Sequence, residues 1–104
     1  MPSYSTIRFN FAQAKQQALR LETMAQEMRK TANSNFDQAI AELQSGWKGE
    51  SAEQYIRKAQ NVRNDILKTA NDLDAVAINI RKVAQRIYNA EMEAKRLAEE
   101  ISRK

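Results

Sequence analysis

Residues 45–51 read Ser-Gly-Trp-Lys-Gly-Glu-Ser and separate two long stretches that favour helix. They contain both glycines and the only tryptophan of the 104-residue chain, and the only proline is Pro2. Glycine tolerates a positive φ, so Gly46 is a natural end for the preceding helix. Ser51 followed by Gln54 forms a capping box, which is typical of a helix start. The simplest interpretation is a helix, a tight turn and a second helix.

The composition favours an all-α protein. Glycine and proline are scarce, while alanine, glutamine, glutamate, lysine and arginine are abundant. No run of β-branched and aromatic residues alternates with period two, so no strand is predicted. We expect one domain over residues 1–104, an antiparallel hairpin with helices at about 10–45 and 51–102. The turn is predicted at 46–50, and residues 1–9 are predicted to be extended.

The first helix carries a stripe of apolar and small residues at heptad spacing. Its members are Phe11, Ala14, Ala18, Leu21, Ala25, Met28 and Ala32. The stripe then slips by one residue at Asn35 and resumes at Phe36, Ile40, Leu43 and Trp47. A slip of this kind resembles a stutter in a coiled coil, so we expect a local bend at 31–35, or at most a break.

The second helix carries the clearest pattern of the sequence, fourteen positions whose spacing alternates between four and three residues. They are Tyr55, Ala59, Val62, Ile66, Thr69, Leu73, Val76, Ile80, Val83, Ile87, Ala90, Ala94, Leu97 and Ile101, and we call them the heptad stripe. A second apolar set lies beside it: Ala52, Ile56, Leu67, Ala70, Ala77, Ile78, Ala84 and Tyr88. The heptad stripe is predicted to face a partner helix along its whole length.

The two predicted helices differ in length, about 54 Å against about 78 Å at a rise of 1.5 Å per residue. The shorter helix therefore covers the longer one only to about residue 88. A two-helix hairpin also leaves much apolar surface in water. We therefore predict a dimer, either a homodimer or a heterodimer, that forms a four-helix bundle. Its predicted interface residues are Ile56, Leu67, Ala90, Ala94, Leu97 and Ile101.

The residue inventory gives no support to catalysis. The chain has no cysteine, so disulfides, thiol catalysis and thiolate metal sites are excluded. It also has no histidine, the commonest general base and metal ligand. No glycine-rich phosphate loop is present. The net charge of +4 is interleaved rather than clustered, which is typical of a solvated helix surface and not of a nucleic-acid site. We expect a protein that is not an enzyme and binds no cofactor, metal or nucleic acid. No membrane span and no cleaved signal peptide are predicted.

Trp47 has two interpretations. It can close the end of the hairpin core over Leu43 and Tyr55. It can also be a docking residue for a partner, because large amphipathic rings are typical hot spots.

Trp47, Lys48 and Gly49 lie between two predicted helices near the middle of the chain, with Ala52 and Tyr55 following. This arrangement resembles the WXG family, the ESAT-like substrates of type VII secretion systems. The resemblance implies a dimeric helical hairpin with Trp47 and Gly49 as the secretion motif. It also implies export from the cytoplasm to the exterior by a membrane complex with an ATPase motor.

The family's C-terminal signal, Tyr-x-x-x-Asp/Glu, has only a degenerate match here. Tyr88 is followed by Glu91 at the third position and by Met92 at the fourth. The resemblance therefore leaves open a partner that supplies the signal, either a related WXG-type chain or a helix of a larger toxin.

Three functions remain open from the sequence. The chain can be a type VII substrate or co-secreted partner. It can be a targeting chaperone that carries a larger toxin to the same secretion ATPase. It can also be an unrelated intracellular coiled-coil adaptor.

Overall fold

The structure, a computed structural model, describes residues 2–103 and is helical on both sides of one short turn. Helix α1 spans Tyr4–Lys30 and continues without a break as a π-helical turn at Thr31–Phe36 and as helix α2 at Asp37–Gly46. Helix α3 spans Glu50–Ser102. The described residues contain no strand. The prediction of an all-α chain with two long helical stretches is confirmed, whereas dimerisation stays a prediction.

The chain divides into two compact units, each with two antiparallel helical segments. The described residues 2–21 and 75–103 form the terminal unit, where Tyr4 contacts Glu99. Residues Glu22–Asp74 form the turn unit, where Arg29 pairs with Asp74 and Trp47 contacts Tyr55. The prediction of a single domain over 1–104 stays a prediction.

Helix α1 begins six residues earlier than predicted. Ser3 caps it, because the Thr6 amide donates to the Ser3 hydroxyl at 3.2 Å. The expected extended conformation of residues 1–9 is therefore wrong from Tyr4 onward, and Met1 lies outside the described residues. The alternation of Ile7 and Phe9 is too short to distinguish a strand from a helix. Ile7 is 1% exposed and packs inside the terminal unit.

The early start of α1 removes the predicted length mismatch. The Tyr4 hydroxyl donates to a Glu99 carboxylate oxygen at 3.1 Å, so α1 accompanies α3 almost to its last turn. Ala90, Ala94, Leu97 and Ile101 are nevertheless exposed. Their exposure comes from the face of α3 on which they lie, not from a shortage of helix beside them.

Alanines form the contact between the helical segments. The fully or nearly buried alanines are Ala18, Ala25 and Ala32 on the first stretch and Ala52, Ala70, Ala77 and Ala84 on α3. Small side chains let helix backbones approach closely. Ile7 is the only large, fully buried side chain in residues 2–103. Because each alanine removes little apolar area from water, this core contributes less stabilisation than one built from leucine and isoleucine.

The π-helical turn accounts for the slip in the first stripe. A π turn holds more residues than an α turn, so it absorbs the extra residue and returns Ile40 to the buried face. Arg63 of α3 stabilises this turn from outside. Its guanidinium donates to the Asn33 side-chain oxygen at 2.9 Å and also pairs with Asp37, the first residue of α2. The predicted bend is therefore a register change within continuous helix.

Deleting Ser34, an exposed residue of the π turn, is expected to be tolerated. The remaining residues can close as α-helix with Ala32 and Ile40 still facing inward. Deleting the exposed Gln26 in α1 provides the control, because it rotates the downstream helix by about 100° and turns both residues away. Thermal unfolding followed by circular dichroism should show a small change for the first deletion and a large loss for the second. Equal losses would contradict this explanation of the slip.

Candidate interaction site at the turn and on helix α3

The turn consists of Trp47, Lys48 and Gly49, within the predicted 46–50. Trp47 has extended backbone, and its amide donates to the Leu43 carbonyl at 2.9 Å, closing α2. Gly46 is the last residue of α2, so its predicted role as the positive-φ end of the helix is wrong. Gly49 takes that conformation instead, with φ of 110°. Its carbonyl accepts from the Glu53 amide at 3.1 Å, so α3 starts before Ser51, which is not the cap.

The two glycines are expected to respond oppositely to replacement by alanine. A methyl group at either position would meet no atom within 4 Å, so the effect of each replacement on stability depends on the backbone conformation. Gly49→Ala should lower the free energy of unfolding by about 1–2 kcal/mol, since positive φ is unfavourable for alanine. Gly46→Ala should raise it by up to about 1 kcal/mol, because alanine favours helix. Urea unfolding of both variants measures the difference, and an equal effect would contradict the assigned turn.

Trp47 is neither buried in the core nor fully exposed. The residue is 42% exposed, and its ring lies 5.6 Å, centroid to centroid, from the ring of Tyr55, at an angle of 51°. Together with Lys48, Ile56 and Arg57 it borders an open groove of about 360 Å³ on the turn unit. Trp47 thus contacts Tyr55 within the turn unit and remains partly exposed to solvent. The assignment of Trp47 and Gly49 as a secretion motif stays a prediction.

The heptad stripe of α3 lies on the outside of both units. None of its fourteen positions, all of which are described, is buried. Ala59, Ile66, Leu73 and Ile80 are half-buried beside the first helical stretch, and the remaining ten are exposed. The buried alanines of α3 come from the second apolar set instead. The expectation that the stripe forms the hairpin seam is therefore wrong.

The face of α3 that packs against the first helical stretch has residues of different polarity on its two sides. Toward one side lie charged residues such as Asp74, which pairs with Arg29 of α1. Asn71 also accepts from Arg29, at 2.8 Å. Toward the other side lie the apolar residues of the heptad stripe, for example Ile66, which shares an apolar recess with Met24 and Met28 in the turn unit. The stripe side therefore presents exposed apolar residues such as Val76 and Val83.

The predicted interface residues fall into two groups. Ala90, Ala94, Leu97 and Ile101 are exposed on the stripe, and Ile101 reaches 72% exposure. Ile56 and Leu67 are half-buried and belong to the inward set. The exposed group can contribute fully to a surface for a second protein, whereas the inward pair is already partly covered within the turn unit.

Tyr88 and Glu91 lie within regular helix in the terminal unit. Tyr88 stacks on Phe11, with ring centroids 4.6 Å apart and an angle of 28° between the planes. Glu91 follows almost one turn later and is half-buried. Helix α3 continues to Ser102. Their predicted role as a degenerate C-terminal signal stays a prediction, and the geometry gives Tyr88 a packing role.

Polar contacts join the ends of the helices in the terminal unit. Partial burial and the hydrogen bond to Glu99 raise the pKa of the Tyr4 phenol above its ordinary value. The nitrogen of Lys95 lies 4.9 Å from the centroid of the Tyr4 ring. On the outer surface, hydrogen bonding from the Arg96 guanidinium lowers the pKa of Glu93. These contacts are exposed and make only a small contribution to stability.

The model of one protein family matches the chain over residues 11–102, and it is that of the PPE family. The chain belongs to the PPE family. No curated protein and no solved structure matches it. The matched region begins at Phe11, whose ring stacks on Tyr88, and includes the turn and nearly all of α3. The PPE family, like the WXG family, is associated with type VII secretion.

The assignment to the WXG family is wrong, because the match over residues 11–102 is to the PPE family. The resemblance depended on Trp47, Gly49, the chain length and two helices. A tryptophan and a glycine in the turn between two helices do not distinguish two families that are both associated with type VII secretion. The turn geometry itself is unaffected by this correction.

Within residues 2–103 of this PPE family chain, none of the helices combines the length and the apolar composition that a membrane span requires.

Proposed function

We propose that this PPE family chain is a secreted type VII substrate or co-secreted partner that acts by protein–protein interaction. The heptad stripe of α3 carries the proposal. A soluble helix usually turns its apolar face inward, yet here the regular apolar face points outward while alanines make the internal contact. In this proposal, a helix of another chain covers the stripe, and the chain performs no catalysis.

The proposed partner is a second copy of the chain or the helical region of another secreted protein. The spacing of the stripe supports a helical partner, since heptad positions receive the side chains of a neighbouring helix as knobs into holes. The core, which is built mainly from alanines, supports the same interpretation. A partner would bury the larger apolar side chains that the fold leaves exposed. The turn with Trp47 is then available to the secretion machinery, with its ATPase as the proposed second partner.

The proposed route begins in the cytoplasm and ends outside the cell, without a cleaved signal peptide. The test compares the culture medium of cells with and without the type VII secretion ATPase. The proposal predicts that the intact chain accumulates in the medium only when the ATPase is present. Equal amounts in both media, with cell lysis controlled by a cytoplasmic marker, would contradict it.

A targeting chaperone for a larger secreted toxin is the second candidate. It is favoured by the continuity of the stripe over residues 55–101, which suits a long helix of a larger protein. Stable co-purification of that protein with the chain from the cytoplasm, together with retention of the chain inside the cell, would favour the chaperone over the substrate.

A further inference from the structure

The terminal unit contains an apolar recess whose residues were not predicted as a site. Its volume is about 260 Å³, below the roughly 300–1,000 Å³ of sites that enclose a small-molecule ligand. The recess exists because small residues line it on both helical segments. The stacked Phe11–Tyr88 pair forms part of its wall. The apolar and aromatic lining residues are Ile7, Phe11, Ala14, Ala84, Ile87 and Tyr88. A recess of this size suits one apolar side chain.

Glu91 lies at this recess and differs from the other half-buried carboxylates of residues 2–103. Asp74 pairs with Arg29, and Glu22 also has an interaction within the chain. Glu91 has no ion pair with any residue that the structure describes. Lys95 is four residues further along α3, but its nitrogen lies against the Tyr4 ring.

A partly buried carboxylate loses hydration, and a nearby cation compensates for that loss. Ile87 and Glu91 are four residues apart, so they lie on one face of α3 about 6 Å from each other. An approaching helix presents its own residues at the same spacing. An apolar residue and a lysine or arginine three or four positions apart would therefore reach the recess and the carboxylate together.

We propose that the recess receives an apolar side chain of a partner helix and that Glu91 forms an ion pair with a basic residue of the same helix. The partner is thus an amphipathic helix with a basic edge. The inference rests on the proposed function, because it assumes a partner helix, and it adds the chemistry by which that helix is chosen. Charge complementarity gives such a contact specificity as well as affinity.

The test uses two synthetic helical peptides of about 20 residues, long enough to retain helix in water. Both carry one leucine in each heptad; one peptide has lysine four residues after each leucine and the other has glutamate there. Fluorescence anisotropy at physiological salt measures their binding to the full chain. The lysine peptide is expected to bind about tenfold more tightly or better. Equal affinities would overturn the proposal.

Glu91→Lys is expected to reverse the preference between the peptides. Glu42→Lys makes the same change in net charge at an exposed position of the turn unit, and it should preserve the preference. Ile87→Asn, at a side chain that is 51% exposed, should weaken both peptides while leaving the helix content intact. An unchanged preference in Glu91→Lys, or the same reversal in Glu42→Lys, would overturn the assignment of Glu91.

Sedimentation equilibrium identifies the competing occupant. A dimer that forms without peptide, excludes both peptides and persists in Glu91→Lys would show that a second copy fills the recess, and would overturn the proposal. The peptide experiment does not depend on export. If the chain prefers the lysine peptide but shows no ATPase-dependent export, only the proposed function is contradicted.

Discussion

Ala77→Asp is expected to unfold the terminal unit, whereas Val76→Asp, one residue earlier, is expected to leave it folded. Ala77 is 0% exposed, and an aspartate there would place a carboxylate without a counter-charge between two helical segments. The expected cost is about 3–5 kcal/mol, as for other uncompensated buried charges. For a chain of this size, such a loss lowers the melting temperature by well over about 10 °C.

Val76 provides the matched control because it belongs to the heptad stripe and is 49% exposed. Valine and aspartate have similar helix propensities, so Val76→Asp should change the stability of the isolated chain by less than about 1 kcal/mol. Its effect should appear on partner binding instead. Thermal unfolding at low micromolar concentration, with the molecular mass checked by sedimentation, measures both variants. A monomeric Val76→Asp chain as unstable as Ala77→Asp would place the stripe in the core and contradict the structure.

Trp47→Ala is expected to abolish export while costing only about 1–2 kcal/mol of stability. The cost is small because Trp47 is already 42% exposed, whereas a loss of about 3–5 kcal/mol is typical of buried aromatics. The measurement compares melting temperature and ATPase-dependent accumulation in the medium for the same variant. A Trp47→Ala chain that keeps its helix content but is no longer exported would show that Trp47 acts in recognition by the secretion machinery.

Tyr55→Ala is the control for this variant. It removes the same contact between the two rings, since their centroids are 5.6 Å apart, but keeps the indole. The two variants should lose similar stability, and Trp47→Ala should impair export more strongly than Tyr55→Ala, which changes only the first position of the heptad stripe. Normal export of a folded Trp47→Ala chain would defeat the assignment, and equal export defects in both variants would attribute the effect to packing at the turn.

The number and approximate ends of the helices could be predicted because the decisive residues are few and local. Gly46 and Gly49 are the only strong helix breakers after Pro2, so the turn could fall nowhere else. The start of α1 could not be derived from the apolar pattern, because Ser3 acts through a single side-chain hydrogen bond. The one-residue slip of the apolar stripe near Asn35 was visible in the sequence. Its spacing, however, is compatible with either a π turn or a bend.

The face of α3 that meets the rest of the hairpin could not be predicted from hydrophobicity. Periodicity identifies faces that avoid water, and α3 has two of them. The face with larger side chains gives the stronger pattern, yet alanines such as Ala70 and Ala77 allow the closer approach and occupy the interior. The recess at Glu91 was missed for a related reason, since it combines Ala14 from one segment with Ala84 from another. The signal that could have pointed to it is the spacing of Ile87 and Glu91 on one helix face.

The central claim is that the heptad stripe of α3 is covered by another protein. It can be tested by cysteine labelling, because the chain has no native cysteine. Val83→Cys places the thiol on the stripe, and Gln85→Cys places it at an exposed position on the far side of α3. The measurement is the rate of reaction with a maleimide, in the purified chain alone and in the complex isolated from producing cells. Both thiols are expected to react fast in the chain alone, and the complex is expected to protect position 83, but not position 85, by about tenfold or more. Equal labelling of position 83 in both samples would contradict the account.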